Sequence, residues 1–285
     1  ANSIISSFKP DVVIGTGGYV CGPILMAAAL RNIPTLIQEQ NVIAGITNKI
    51  LSRFVDVVAV GYNEAAKSFD KAKQVVYTGN PVRPDVLVDS RVEGRKHFGL
   101  SDDIFTVLIA GGSRGARTIN NAMIDVHKHF QGKDGIKLIH ITGNGEYTSV
   151  LEKLGINDGS GLGESSLILP YLHDMPKALA ATDLAVFRSG AIGLAELAVR
   201  GIPSVLVPYP YAAEDHQTYN ARIFVQEGAA HMIVDKVLTS HDLIGEIEMF
   251  MANRELLAQM GASALHLGKP NAAHDIAELA LSIAK

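Results

Sequence analysis

The sequence predicts an α/β protein built from two doubly wound parallel sheets, on three observations. Short apolar strands alternate with helices along the chain. The strands repeatedly end in glycine-rich or polar loops, several of which open directly into helices. The length of 285 residues, with 47% hydrophobic and 19% charged side chains, is ample for large cores and points to two domains. In such sheets ligands collect at the carboxyl ends of the strands, where helix N-termini begin.

The elements follow in order. Asp11–Ile14 reads as a strand; Gly15-Thr16-Gly17-Gly18-Tyr19-Val20-Cys21-Gly22-Pro23 then turns into an apolar helix over Ile24–Leu30. Pro34–Ile37 is a strand ending in Gln38-Glu39-Gln40-Asn41. Val57–Val60 ends at Gly61, and Val75–Tyr77 ends in Thr78-Gly79-Asn80-Pro81-Val82-Arg83-Pro84. Two prolines and fading periodicity place a domain boundary near Pro81–Asp89, so residues 1–84 and 85–270 are expected to form separate domains. Phe105–Ala110 is a buried-type strand, followed by Gly111–Ala116 and a helix from about Arg117. Ser166–Leu169 is a strand leading to Leu172. Leu184–Phe187 runs into Arg188-Ser189-Gly190-Ala191 and a helix that stops at Gly201. Ser204–Val207 stops at Pro208, before a polar loop holding Asp215, His216 and Gln217. Ala272–Ala284 is helical by spacing, with Ile276, Leu279, Ala280 and Ile283 on one face. Pro270 separates it, so residues 271–285 are expected to cross back to the first domain.

Glycines let a backbone turn tightly against a phosphate, and a helix N-terminus offers free N–H groups and partial positive charge. Gly111-Gly112-Ser113-Arg114-Gly115-Ala116 is neither a G-x-G-x-x-G dinucleotide loop nor a P-loop, but Ser113 can donate its hydroxyl to a phosphate. Glu196 lies near the first turn of its helix, placed to accept hydroxyl hydrogen bonds from a sugar. Ser189 lacks a G-x-S-x-G elbow and reads as a helix cap. Together these loops point to a nucleotide-sugar.

Composition excludes several classes. The net charge of −4 provides no global basic field for nucleic acid. Residues 1–84 carry 8 Lys/Arg against 5 Asp/Glu, a mildly basic part that suits an anionic surface or a phosphate. The basic run Lys67, Lys71 and Lys73 reads as a solvated helix face. Cys21 excludes an internal disulfide and fits a reducing cytoplasm. No apolar run approaches the roughly 18 residues a membrane span needs. His127 and His129, two apart on a helix, point to different faces, and Asp215 with His216 make no ligand set, so no metal is expected. There is no Asp-x-Asp triplet of the kind that holds a divalent ion on a sugar donor.

Six segments in order resemble the MurG family, the membrane-associated N-acetylglucosaminyltransferases of peptidoglycan synthesis, in glycosyltransferase family 28. They are GTGGYVCGP (15–23), EQN (39–41) with GITNK (45–49), GNPVR (79–83), GGSRGA (111–116), RSGA with Glu196, and PYPYAAEDHQTYNA (208–221). The resemblance covers nearly the whole chain. It implies a GT-B fold of two Rossmann-like domains. It implies inverting transfer of GlcNAc from UDP-GlcNAc to the muramoyl C4 hydroxyl of lipid I, giving lipid II. No cofactor is implied, and the implied location is peripheral, on the cytoplasmic face of the bacterial cell membrane.

By the same resemblance Asn41, Arg83, Ser113, Leu172, Ala191, Ile192, Gly193, Leu194, Ala195, Glu196 and Gln217 match donor-binding positions. Arg83 would fork onto the pyrophosphate and Glu196 would hold the ribose. Leu172 would sit by the uracil, and Asn41 and Gln217 would hold the GlcNAc. Gly17, Gly18 and Tyr19 would line the acceptor diphosphate. Gly193 replaces a common threonine and Gln38 a common histidine. The family's first, histidine-bearing glycine loop lies upstream of this pattern, so the N-terminal domain is expected to be incomplete. The catalytic base is then expected before Ala1, with little transfer by this chain alone. Glu39 and His216 are the candidates within it. The alternatives are another enzyme on this fold, such as a UDP-GlcNAc 2-epimerase, and a truncated, inactive UDP-sugar-binding protein.

Overall fold

The structure is a computed structural model that describes residues 1–112 and 115–285. The chain forms two compact units. The first comprises Ala1–Val82, Tyr211–Asn220 and Lys269–Lys285; the second comprises Arg83–Pro210 and Ala221–Gly268. The expected continuous second domain over 85–270 is therefore interrupted. Tyr211–Asn220 belongs to the first unit, where Asn220 Oδ1 accepts from the Val42 N–H at 2.9 Å and its Nδ2 donates to Asn41 Oδ1 at 3.0 Å.

In the first unit, β1 (Val13–Gly15), β2 (Thr35–Glu39), β3 (Val57–Val60) and β4 (Val75–Tyr77) form one parallel sheet in the order β1-β2-β3-β4. Both faces are covered, as an all-parallel sheet requires. Ile37, Val58 and Val60 pack with Leu25, Leu51 and Phe69 on one face. Leu36, Val57 and Ala59 meet Ala280, Ile276, Leu279 and Ile283 of the final helix, Ala272–Ile283, on the other. Strand β2 runs past the predicted stop at Ile37, because Gln38 and Glu39 still pair with Ala59 and Val60. The first glycine loop is shorter than predicted, since its helix begins at Cys21. Lys67, Lys71 and Lys73 do not share a helix face. Asn63–Ser68 is a short 3-10 helix that ends before Lys71, and Lys73 pairs with Asp56 at 2.8 Å.

In the second unit, β5 (Phe105–Ala110), β6 (Ile136–Ile141), β7 (Ser166–Leu169), β8 (Leu184–Phe187), β9 (Ser204–Leu206) and β10 (Ala230–Met232) form a parallel sheet in the order β10-β9-β8-β5-β6-β7. Four of these strands match those expected from the sequence; β6 and β10 are additional. The order reverses at β5, which pairs with β6 on one side and β8 on the other. Helix Arg117–Phe130 and helix Ser240–Ala252 bury Ile119, Met123, Val126, Leu243, Ile247 and Phe250 in the main core.

Candidate active site

The strand order of the second unit places the carboxyl ends of β5 and β8 side by side. The Gly111 loop leaves one and Arg188-Ser189-Gly190 leaves the other, and the Arg188 N–H donates to the Ala110 carbonyl at 3.4 Å. A switch point of this kind is where doubly wound sheets bind ligands. The neighbouring carboxyl ends of β6 and β7 complete a cavity of about 240 Å³, lined by Arg83, Gly112, Gly143, Leu172, Met175 and Glu196 among others. Glycine is required at position 115, which abuts the Thr142 carbonyl beside the lining residue Gly143. Gly115 has a φ of +76°, and a Cβ there would lie 2.0 Å from the Thr142 carbonyl oxygen.

Helix Ala191–Arg200 supplies Glu196 from its second turn rather than its first, as the sequence reading had it. Gly190, in an extended conformation, is the N-cap, so Ser189 stands one residue before the capping position expected of it. Glu196 is mostly buried, and burial raises its carboxyl pKa while Arg83 pulls it back down. Arg83 Nε and Nη2 each lie 3.3 Å from Glu196 Oε1. Arg83 caps helix Pro84–Val88 through its backbone, which leaves its half-exposed guanidinium at the cavity.

Arg188 is a scaffold residue. Its Nη1 donates to the Val207 and Pro208 carbonyls at 3.0 Å each and pairs with Asp235, whose other oxygen accepts from Thr118 Oγ1 at 3.1 Å. These bonds tie together the ends of β8, β9 and β10 and the first turn of helix Arg117–Phe130.

The first unit has its own cavity, of about 370 Å³, lined by Gly17, Gly18, Tyr19, Glu39, Asn41, Asn48, Glu214 and His216 among others. Gly17 and Gly18 have φ of +98° and +78°, and Tyr19 is 81% exposed. Glu39 is almost fully buried and its carboxylate is already occupied. Oε1 accepts from the Asn41 N–H at 2.9 Å, and Oε2 accepts from the Gly45 N–H at 3.0 Å and Asn48 Nδ2 at 2.9 Å. It staples the 39–48 loop and has little lone-pair capacity left for proton transfer.

His216 differs. Its Nδ1 lies 2.7 Å from the Ala213 carbonyl, which can only accept. The proton therefore sits on Nδ1, and Nε2 is the basic nitrogen of the neutral ring. Glu214 and Asp215 precede it at φ of +52° and +54°, a conformation that non-glycine residues adopt at a cost. Lys49 holds Glu214 at 3.3 Å.

The structure thus groups Arg83, Leu172 and Glu196 around the second unit's cavity, with Ala191 to Ala195 in the helix that carries Glu196. It groups Asn41 with Gly17, Gly18 and Tyr19 in the first unit's cavity. Gln217, the second residue of helix His216–Gln226, belongs to the first unit. Ser113 lies outside the described residues. Sequence reasoning missed Gly143, Tyr171 and Met175 in the cavity wall, and the bonds of Asn120 to Thr142 and of Asp235 to Arg188. The run Ile141-Thr142-Gly143-Asn144-Gly145 after β6 repeats the strand-then-glycine signal and could have revealed Gly143. Among the described residues no group of three or more His, Cys, Asp or Glu could hold a metal ion. No helix among them is long and apolar enough to cross a membrane.

Comparison with known proteins adds independent support. The glycosyltransferase family 28 C-terminal domain matches residues 106–279, and the family's N-terminal domain matches residues 1–60. The chain is 46% identical over 277 residues to the UDP-N-acetylglucosamine--N-acetylmuramyl-(pentapeptide) pyrophosphoryl-undecaprenol N-acetylglucosamine transferase of Desulforamulus reducens, covering 97% of this chain and 74% of that protein. Acinetobacter baumannii MurG superposes with a TM-score of 0.77 at 31% identity, over 99% of this chain and 77% of that one. A putative UDP-N-acetylglucosamine 2-epimerase from Listeria monocytogenes superposes with a TM-score of 0.73 at 18% identity, over 97% and 75% of the two chains, a likeness of fold alone.

Proposed function

The chain belongs to glycosyltransferase family 28, and from that premise we propose that it transfers GlcNAc from UDP-GlcNAc to the muramoyl C4 hydroxyl of lipid I, forming lipid II. The observation that carries the donor half is the switch-point cavity of the second unit, where a glycine loop, Arg83 and a partly buried Glu196 converge. A uridine diphosphate needs that combination. Its ribose hydroxyls donate to a carboxylate, its diphosphate takes a guanidinium and free backbone N–H groups, and its base needs a slot such as the one beside Leu172.

The acceptor half is assigned to the first unit's cavity. Gly17 and Gly18 leave open space beside their backbone for a diphosphate, and exposed Tyr19 stands next to them. Chemically, the C4 oxygen attacks the anomeric carbon as the bond to the UDP oxygen breaks, and its proton passes to a base. Of the two candidates within the chain, His216 keeps a basic nitrogen, whereas both Glu39 carboxylate oxygens already accept N–H bonds. Asn41 and Gln217, expected on the GlcNAc, stay assigned to it as part of the proposal. Lipid I is a membrane lipid, so this reading places the protein peripherally on the cytoplasmic membrane surface.

The 2-epimerase alternative rests on fold alone. The deciding experiment incubates the protein with UDP-GlcNAc and a lipid I analogue and follows UDP release and product mass. Formation of the disaccharide product supports the proposal. UDP-ManNAc formed without acceptor would establish the epimerase, and nucleotide binding with no turnover would leave a binding protein.

A further inference from the structure

Next to the second unit's cavity, whose lining includes Ile141 and Gly143, five fully buried groups form one chain of hydrogen bonds. Ser166 Oγ is 2.8 Å from His127 Nδ1, and His127 Nε2 is 3.1 Å from His140 Nδ1. His140 Nε2 is 3.0 Å from Asn120 Oδ1, and Asn120 Nδ2 donates to the Thr142 carbonyl at 2.9 Å. All five residues are 1% exposed or less.

The chain has a single direction, and its last member sets it. A carbonyl only accepts, so Asn120 must turn Nδ2 toward Thr142 and Oδ1 toward His140. His140 then carries its proton on Nε2 and accepts on Nδ1. His127 must donate from Nε2 and accept at Nδ1 from the Ser166 hydroxyl. Burial pushes both imidazole pKa values down, so both rings are neutral, as the relay requires. Two leucines would fill this space without the desolvation cost of buried imidazoles. What the relay adds is one fixed orientation of Asn120.

That orientation bears on the cavity. Thr142 is held from both sides: its N–H donates to the Leu169 carbonyl at 2.9 Å, and its own carbonyl receives Asn120. The same carbonyl abuts Gly115, and Gly143 beyond it lines the cavity, as Gly112 does. We propose that His140 and Asn120 are positioning residues for the donor nucleotide: through the Thr142 carbonyl they fix Gly143, which lines the cavity, and Gly115, which packs against that carbonyl. Neither touches the ligand. This rests on the reading of the cavity as the UDP site.

The test compares Asn120→Asp and His140→Leu with Leu138→Ala, a core truncation on the same strand that lies outside the relay. Asn120→Asp keeps the acceptor for His140 and loses the donor to Thr142. The expected result is a donor KM raised roughly five- to fiftyfold in both relay variants, with the acceptor KM unmoved, since small misplacements of binding walls are costly. Leu138→Ala lowers Tm without that donor-specific change. Hydrogen exchange of the Gly115 and Gly143 amides in the ligand-free protein is a second readout, and both amides should exchange faster in the relay variants. Donor KM and exchange both unchanged in folded Asn120→Asp would overturn the proposal, as would an equal rise in both KM values. If His140→Leu does not fold, Asn120→Asp and the exchange data decide. If the parent protein binds no UDP, the functional reading fails and the exchange data alone test the positioning role.

Discussion

Arg83 and Glu196 form an ion pair within the second unit's cavity, with Nε and Nη2 of the arginine each 3.3 Å from the same carboxylate oxygen. The pair joins the two groups assigned to the diphosphate and the ribose; burial raises the Glu196 pKa above its ordinary value, and Arg83 opposes that rise. An ionised carboxylate is the form that accepts ribose hydroxyls. UDP affinity should therefore fall as pH drops through a Glu196 pKa that burial raises above its ordinary value. Arg83→Gln removes the effect that lowers this pKa, so its acid limb should move to higher pH. Calorimetric titration with UDP over about pH 5 to 8 reads both limbs. Superimposable profiles for parent and variant would refute the coupling.

Glu196→Ala should weaken UDP-GlcNAc binding by about 1–3 kcal/mol, the cost of losing charge-assisted hydrogen bonds. Unchanged affinity by the same titration would remove Glu196 from the ribose site.

Gly193 faces open space: a Cβ there meets the Phe187 ring edge at 3.7 Å, an ordinary contact. Gly193→Thr should fold normally. Its hydroxyl, in the first turn of the helix beside the proposed phosphate site, should tighten UDP binding several-fold, by about 1 kcal/mol. Weaker binding at unchanged Tm would show that the phosphates lie elsewhere.

Gly115→Ala should be severely destabilising, by roughly 2–4 kcal/mol, because it combines a left-handed φ with a 2.0 Å clash against the Thr142 carbonyl. Urea unfolding gives the number. A loss below about 0.5 kcal/mol would mean the loop shifts freely.

His127 has a pKa lowered from 6.5 to about 4 by burial. Its neutral form is the folded form. The stability it contributes is complete above pH 6.5 and is lost as pH falls toward 4, at up to about 1.4 kcal/mol per pH unit. Unfolding curves between those limits should steepen in pH dependence for the parent, and the slope should flatten in a His127→Phe, His140→Leu double variant.

His216→Ala should lower kcat by roughly 10²–10⁴ with UDP affinity retained, if it accepts the acceptor proton. Glu39→Gln should instead lower Tm, since its amide cannot accept all the N–H bonds of the 39–48 loop. A His216→Ala enzyme with full kcat moves the base to another residue.

Much of this protein was legible in its sequence, because apolar runs ending in glycine are a local signal. Phe105–Ala110 and Leu184–Phe187 were readable to the residue, and so were the family motifs from GTGGYVCGP to PYPYAAEDHQTYNA. Partial alternation hid others. Ile136–Ile141 carries Lys137 and His140, and Ala230–Met232 is only three residues long.

What tertiary structure alone decided depends on pairing between distant segments. Strand order made β8 a neighbour of β5 and so brought Gly111 and Gly190 to one end of the sheet, though 79 positions separate them. Side-chain hydrogen bonds at Asn220 link Tyr211–Asn220 to Val42 of the first unit, and those at Glu39 hold the 39–48 loop. The relay from Ser166 to Thr142 joins three elements that no periodicity links. Local patterns specify which residues form each element. Which polar atom meets which is set only when the elements pack, because a hydrogen bond is satisfied over about 3 Å in space and not over a spacing in sequence.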